Sequence, residues 1–367
     1  ASILEQAAQW HPRTADSGTS KSGGSMTAAG LFHPEVAGWF ESTFDHATDV
    51  QALSWPRIAS GQNLLITAPT GSGKTLTAFL WALNEFATGA TSTGATRILY
   101  ISPLKALNND IQRNLLDPLS ALQQHGVLPE LRVQTRSGDT PQSERQRMLR
   151  RPPEILITTP ESLFLLLTNR RGAQALGGVS TVIIDEVHAM VDSRRGVALM
   201  TSLERLADIA GEFQRLALSA TVNPLPEIAD YVGGTDAAGN RRKLEIIEAP
   251  GRKALQFRVR FPEDARRALD EGAPIWDPLA DAFRRHIEAN TSTLLFTNSR
   301  SLAEKITFKL NEDSPGPLAY AHHGSLAREI RTEVESRLKA GELRAIVATS
   351  SLEMGIDIGE LDEVVLV

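Results

Sequence analysis

No cysteine occurs anywhere in the 367 residues. Disulfides, thiolate chemistry and Cys-ligated zinc or iron–sulfur centres are therefore excluded. Apolar runs are short, and none approaches the ~20 residues that a membrane-spanning helix requires. Nor does the chain open on a basic segment followed by an apolar signal core. A protein not integral to a membrane, with a cytoplasmic location, is the expectation. An excess of positive charge is also lacking, since the formal net charge is −6. That balance by itself argues against a polyanionic partner. Local clusters at Arg145–Arg151, Arg194–Arg195, Arg241–Lys243 and Arg252–Arg260 partly answer the objection. What is present is ordinary: 41% hydrophobic and 22% charged residues, in a chain long enough for two domains with real cores.

The first thirty residues look peripheral. Ala1–Trp10 has the makings of a short helix, but Thr14–Gly30 is rich in Ser, Thr, Gly and Ala without apolar period. Residues 1–30 read as a flexible leader or tag. From Leu31 onward short β-rich runs alternate with helical stretches. Strands are expected at Leu64–Thr67, Ile98–Ser102, Arg132–Thr135, Ile155–Thr158, Thr181–Ile184 and Leu216–Ser219, with amphipathic helices such as Ala106–Gln123 and Gly196–Ile209 between them. That alternation implies βαβ units and a parallel sheet covered on both faces. Gly233–Lys243 breaks the pattern and reads as a linker, which places the first domain at 31–236, the linker at 237–243 and a second domain at 244–367. The second series offers strands at Leu244–Ile247, Thr293–Thr297, Leu318–Ala321, Ala345–Ala348 and Val364–Val367. Its helices are expected at Pro278–Ala289, Leu302–Leu310 and Ala327–Leu338. Two α/β units with a cleft between them is the expected architecture.

Two motifs supply the chemistry. Thr67-Ala-Pro-Thr-Gly-Ser-Gly-Lys-Thr75 follows an apolar run, and Asp185-Glu186-Val187-His188 follows another, Val182–Ile184. A glycine loop feeding a helix presents backbone N–H groups to phosphates, and Lys74 adds positive charge near the β/γ oxygens. The helix is signalled by Leu76, Phe79, Leu80, Leu83 and Phe86 at helical spacing. Ala68 stands where the general pattern has its first glycine. Thr75 can reach Mg²⁺ through its hydroxyl, and Asp185 can hold the metal's water shell. Glu186 is placed to orient or deprotonate an attacking water. Together these predict a chain that binds and uses ATP with Mg²⁺.

Other strand ends carry polar loops: Ser102–Leu107, Arg136–Thr140, Thr158–Leu163, Ser219–Thr221, Phe296–Arg300, His322–Ser325 and Ala348–Asp357. Hydroxyls and free N–H groups at helix starts are anion sites, so the first three can hold successive phosphates of one strand. Capping and turn formation also explain each of them. The paired histidines have no carboxylate spaced for a metal, and a polar loop is the simpler reading.

This ordered set resembles the superfamily 2 DExH-box helicases from Leu31 to the end. More narrowly it resembles the large helicase-related (Lhr) family, on Thr70–Trp81, Arg136–Thr140, Thr158–Leu167, Asp192–Leu206 and Ser350–Asp357. The resemblance implies two tandem RecA-like parallel-sheet domains of P-loop NTPase type, the second incomplete. It implies that Gln51, after Thr48, reads adenine, a position that a surface helix glutamine also explains. Thr70, Gly71, Ser72, Gly73, Lys74 and Thr75 would hold the nucleotide, with Asp185 on the metal's water and Glu186 as catalytic base. His188, Ser219 and Thr221 would couple the nucleotide to the strand. Thr140, Thr159, Asn298, Arg300, His323 and Thr349 would line the nucleic-acid track, and Gly355 and Asp357 would face ATP from the second domain. Travel 3′-to-5′ on single-stranded DNA, unwinding of duplexes including RNA–DNA hybrids, and a role in DNA repair are implied too.

One departure matters. Such helicases complete the ATP site with arginines beyond the strand that begins near Glu363, and this sequence stops at Val367. Because arginine fingers contribute roughly 10³–10⁵ in turnover, weak hydrolysis by the chain as it stands is the expectation. Two alternatives stay open on the sequence: a DExH RNA helicase of the superkiller type, and an ATP-binding module with little turnover.

Overall fold

The structure, a computed structural model, describes residues 30–69, 71–103, 111–220, 222–248, 256–312, 314, 316–349 and 361–367. In chain order the first series is α1 (Pro34–Thr43), α2 (Asp49–Ala59), β1 (Asn63–Thr67), α3 (Lys74–Ala87), β2 (Ile98–Ile101), α4 (Asp117–Gln124), β3 (Val133–Arg136) and α5 (Gln142–Arg150). It continues with β4 (Ile155–Thr158), α6 (Pro160–Leu167), α7 (Arg170–Leu176), β5 (Thr181–Ile184), α8 (Arg194–Ala210), β6 (Gln214–Ser219), α9 (Leu225–Gly233) and β7 (Leu244–Glu248). Seven strands form one sheet in the order β3-β4-β2-β5-β6-β1-β7. Every pairing is parallel.

These strands are short and apolar because a parallel sheet is buried on both faces. Alternate residues feed two separate cores. Leu64 and Ile66 face Trp55, Phe79 and Leu83, whereas Leu65 and Ile184 face Leu199, Leu203 and Leu206 of α8. Caps fix where the helices begin. Thr48 and Gln51 form a capping box at α2, and the Thr159, Asn169 and Ser193 side chains each accept an N–H at the starts of α6, α7 and α8. The helix expected over 106–123 lies partly outside the described residues. Its visible part is a π-helical turn, Gln112–Leu116, that leads into α4.

The second series holds α10 (Glu263–Asp270), α11 (Trp276–Ala289), β8 (Thr293–Phe296), α12 (Arg300–Asn311), β9 (Ala319–His322), α13 (Arg328–Lys339), β10 (Ala345–Ala348) and β11 (Glu363–Leu366). Its four strands are parallel, in the order β11-β8-β10-β9. Leu295 and Val347 pack with Ile287 and Ile306 on one face, and Leu294 and Ile346 with Val334 and Leu338 on the other.

Two expectations are corrected. The strand at 244 does not open the second unit. Leu244–Glu248 pairs with β1 in the register Asn63↔Leu244 to Thr67↔Glu248 and forms an edge of the first sheet. Nor is 237–243 a free linker. Thr235 bridges Arg241, and Asp236 Oδ1 accepts from the N–H groups of Ala238 and Asn240, closing a tight turn. Arg242 folds back onto Glu212 and Glu204, and those hydrogen bonds raise its pKa above the ordinary arginine value. Gly, Asp and Asn suit a mobile tether and a closed turn equally; the long-range Arg242 pairs with Glu204 and Glu212 hold the turn against the first unit.

Candidate nucleotide site and nucleic-acid track

The phosphate loop leaves the carboxyl end of β1. Its start is tied to β6, with Ala68 N–H donating to Ser219 O at 3.2 Å and Thr67 Oγ1 donating to Ala220 O at 3.1 Å. Gly71 and Gly73 have φ of +77° and +84°, a left-handed conformation that costs L side chains roughly 1–2 kcal/mol. Gly73 caps α3 with no side-chain acceptor, so no side chain claims the first-turn N–H groups. A Cβ on Gly73 would stand 2.7 Å from Gln51 Nε2. The loop is braced from α2, where Thr48 Oγ1 donates to Ser72 O at 2.9 Å. Lys74 is 9% exposed, and its ammonium donates to Ala68 O at 2.5 Å and Pro69 O at 2.8 Å. Those carbonyls stand in for phosphate oxygens. Burial lowers the Lys74 pKa, and the charges of Asp185 and Glu186 work against that.

Asp185 and Glu186 arrive at the end of β5, with β6 between it and β1. Asp185 N–H extends the ladder to Ile101 O at 2.8 Å. The carboxylate is 6% exposed; Oδ1 accepts the Glu186 N–H at 2.8 Å, and Oδ2 accepts the Tyr100 hydroxyl. Burial pushes its pKa up, opposed by the Tyr100 hydroxyl, the Glu186 N–H and the charge of Lys74. Glu186 has φ 51° and ψ 45°, a left-handed backbone uncommon outside glycine, and it starts the 3₁₀ turn Val187–Ala189. Burial also lowers the pKa of His188. A neutral ring suits its contact at 3.2 Å, where Nδ1 accepts the Ala220 N–H. Its Nδ1 also lies 3.5 Å from Ser219 Oγ and 3.3 Å from Glu186 Oε2.

The residues fit a magnesium nucleotide. Ser72 Oγ is buried in the loop with no partner among the described residues, and Gly71 opens on free space that a side chain would occupy. Thr75 sits half-buried in the first turn of α3. Asp185 holds an anchored carboxylate at the end of β5. Gln51, the expected adenine reader, is engaged within its own helix start. It is 3% exposed, its Oε1 accepts the Thr48 N–H at 2.9 Å, and its amide abuts Gly73. Thr70, Thr221, Gly355 and Asp357 lie outside the described residues.

The track residues all stand at carboxyl ends of strands, but unequally. Thr140 closes the turn after β3: its hydroxyl accepts the Ser137 N–H at 2.9 Å and lies 3.3 Å from Thr135 O. Thr159 is 7% exposed and spends its hydroxyl on the Ser162 N–H and Oγ. In the second unit Asn298 and Arg300 are exposed, with Arg300 reaching Ser325 Oγ at 2.5 Å. Thr349 follows β10, half-buried, its N–H on His322 O. His323 is 5% exposed and faces inward, with Nε2 2.6 Å from Glu304 Oε1 and Nδ1 accepting the Ser325 N–H. It shapes the loop instead of standing on the surface. His322 is matched similarly, 2.9 Å from Glu335.

Residues 48–228 match the DEAD/DEAH box helicase family, and residues 277–367 match the helicase conserved C-terminal domain. A helicase described as ATP-dependent helicase Lhr-Core, from Methanothermobacter thermautotrophicus, is 44% identical over 347 residues, covering 92% of this chain and 40% of the relative. The solved structure of the Mycobacterium smegmatis helicase Lhr, bound to ssDNA and AMP-PNP, superposes with a TM-score of 0.77 at 43% identity, covering 92% of this chain and 44% of that one. The chain belongs to the Lhr family of DEAD/DEAH-box helicases. It spans 25% of another relative, the Lhr helicase/uracil glycosylase of Escherichia coli, at 40% identity. This Lhr-family chain thus spans less than half the length of these Lhr relatives, and its two parallel sheets are the family's tandem RecA-like units, the second smaller.

One participant at the Lhr-family site escaped the sequence reading. Tyr100 sits in an all-apolar strand, Ile-Leu-Tyr-Ile, and its hydroxyl meets Asp185. A lone hydroxyl in a strand buried on both faces must find a partner, and that was the available signal.

Proposed function

We propose that the chain is the ATP-driven motor core of a helicase that moves 3′-to-5′ along single-stranded DNA and opens duplexes, RNA–DNA hybrids among them, in DNA repair. The observation that carries this is the meeting of Lys74, Asp185, Glu186 and the His188–Ala220 contact at the adjoining ends of β1, β6 and β5. The relatives named as ATP-dependent helicases support the motor reading, and the single-stranded DNA held with AMP-PNP by the mycobacterial Lhr supports the choice of DNA.

Gly71–Thr75 would receive the phosphates on backbone N–H groups, with the Lys74 ammonium exchanging its loop carbonyls for phosphate oxygens. Mg²⁺, when bound, neutralises charge on those oxygens, and Thr75 and Asp185 are the residues that would hold it. Glu186 would orient the attacking water and take its proton. His188, whose ring holds the Ala220 N–H, would pass the change at Glu186 to the end of β6. Asn298, Arg300 and Thr349 would grip the strand from the second unit, and Thr140 and Thr159 would shape the loops that grip it from the first. Cleft closure on ATP and opening after hydrolysis would shift those grips in turn.

The test is binding of a labelled 20-nucleotide strand by the chain, with and without Mg-AMP-PNP, for matched DNA and RNA. The nucleotide should tighten DNA binding about tenfold, the equivalent of ~1.4 kcal/mol, and Lys74→Ala should remove that gain. Equal or tighter binding of RNA would favour an RNA track. Strand binding that ignores the nucleotide would end the motor reading.

A further inference from the structure

We infer that the Tyr100 hydroxyl is a positioning group for Asp185, setting how well this site holds a divalent cation together with the nucleotide. The inference deepens the ATP-site reading above and rests on it. Tyr100 is wholly buried in β2, level with Ile183 of β5, two residues before Asp185. Its hydroxyl donates to Oδ2, while the Glu186 N–H donates to Oδ1 at 2.8 Å. One donor on each oxygen fixes the plane of the carboxylate and leaves lone pairs on both oxygens free for further contacts. Without the hydroxyl, one anchor remains, and the terminal torsion of an aspartate is intrinsically broad.

Satisfying a buried tyrosine is the simpler purpose for such a bond, but two features go beyond it. The partner is a carboxylate, so the bond is charge-assisted and directional. The ring is itself held from the phosphate-loop helix, stacked on Phe79 of α3 with centroids 4.9 Å apart and planes 30° apart. Phe79 lies five residues after Lys74 on that helix. The hydroxyl therefore ties the helix that begins at the phosphates to the carboxylate at the end of β5, across β2.

The experiment titrates Mg²⁺ into the chain with a fluorescent, non-hydrolysable ATP analogue, comparing wild type, Tyr100→Phe, Asp185→Asn and the double variant. Tyr100→Phe should raise the half-saturating Mg²⁺ concentration about tenfold while leaving metal-free nucleotide binding within about twofold, and should add nothing to Asp185→Asn. If Asp185→Asn shifts the Mg²⁺ response and Tyr100→Phe does not, this inference fails and the ATP-site reading stands. If Asp185→Asn leaves the response unchanged, the metal-side assignment fails and this inference with it. Should Tyr100→Phe not fold, Phe79→Leu, which keeps the hydroxyl but removes the ring beneath it, takes its place. A shift of about threefold is then expected, and an unchanged response overturns the inference.

Discussion

Gly73 shows how much of the site rests on single atoms. Its left-handed backbone and its contact with Gln51 leave no room for a methyl group, since a Cβ would lie 2.7 Å from the glutamine amide. Gly73→Ala should therefore weaken nucleotide binding more than about tenfold while lowering thermal stability by only a few degrees, because the strained turn, not the core, absorbs the clash. Calorimetry and analogue titration on the same sample separate the two effects. Unchanged affinity would mean that the loop accepts another path. At this scale the glycines and Lys74 were legible from spacing alone. The engagement of Gln51 was not, because a capping box and an adenine contact ask for the same residue type at the same place.

Strands were the most legible elements, since a run such as Ile155–Thr158, buried throughout, has no other use for so many adjacent apolar side chains. What sequence could not supply was the neighbour of each strand. Leu244–Glu248 reads as a strand on any scale, yet nothing in it says that it joins β1. Glu154, just before β4, carries no sequence signal of burial either. It is 2% exposed and accepts from Gly94 N–H, Arg132 N–H and the Arg132 guanidinium. Burial alone would raise its carboxyl, but these donors hold it down at about 2, against the ordinary 4.5. A depressed folded-state value adds stability that is present above the unfolded value and lost as pH falls through the folded one. The native chain should thus lose stability between 4.5 and about 2 from this residue. Glu154→Gln should cost about 2–3 kcal/mol at pH 7 and flatten that acid limb in denaturant titrations. An acid limb of unchanged slope would show the buried network to be worth little.

For the whole molecule, a net charge of −6 on a proposed strand-binding protein needs an account of where the arginines go. Many are already occupied. Arg145 ties Thr140, Ser137 and Gly138 carbonyls, Arg195 meets Glu161, Arg242 meets Glu204 and Glu212, and Arg215 is buried against Glu204. With these arginines committed to protein partners, hydroxyls and backbone N–H groups should carry most of the strand contacts. The affinity for single-stranded DNA should then fall gently with salt, with a log–log slope of about −2, corresponding to about three neutralised phosphates. Fluorescence anisotropy across a salt series gives that slope, and a value steeper than about −4 would show a basic track that these ion pairs conceal.

The register of β7 has a mechanical consequence. Glu248 lies level with Thr67, the residue from which the phosphate loop departs, and Arg57 of α2 clamps β7 through Glu245 at 2.5 Å. The polypeptide therefore leaves the first sheet one strand's width, about 4.8 Å, from the start of the proposed phosphate loop. Tension along that exit would have a short path to the loop, so a load on a bound strand would be felt at the proposed nucleotide site.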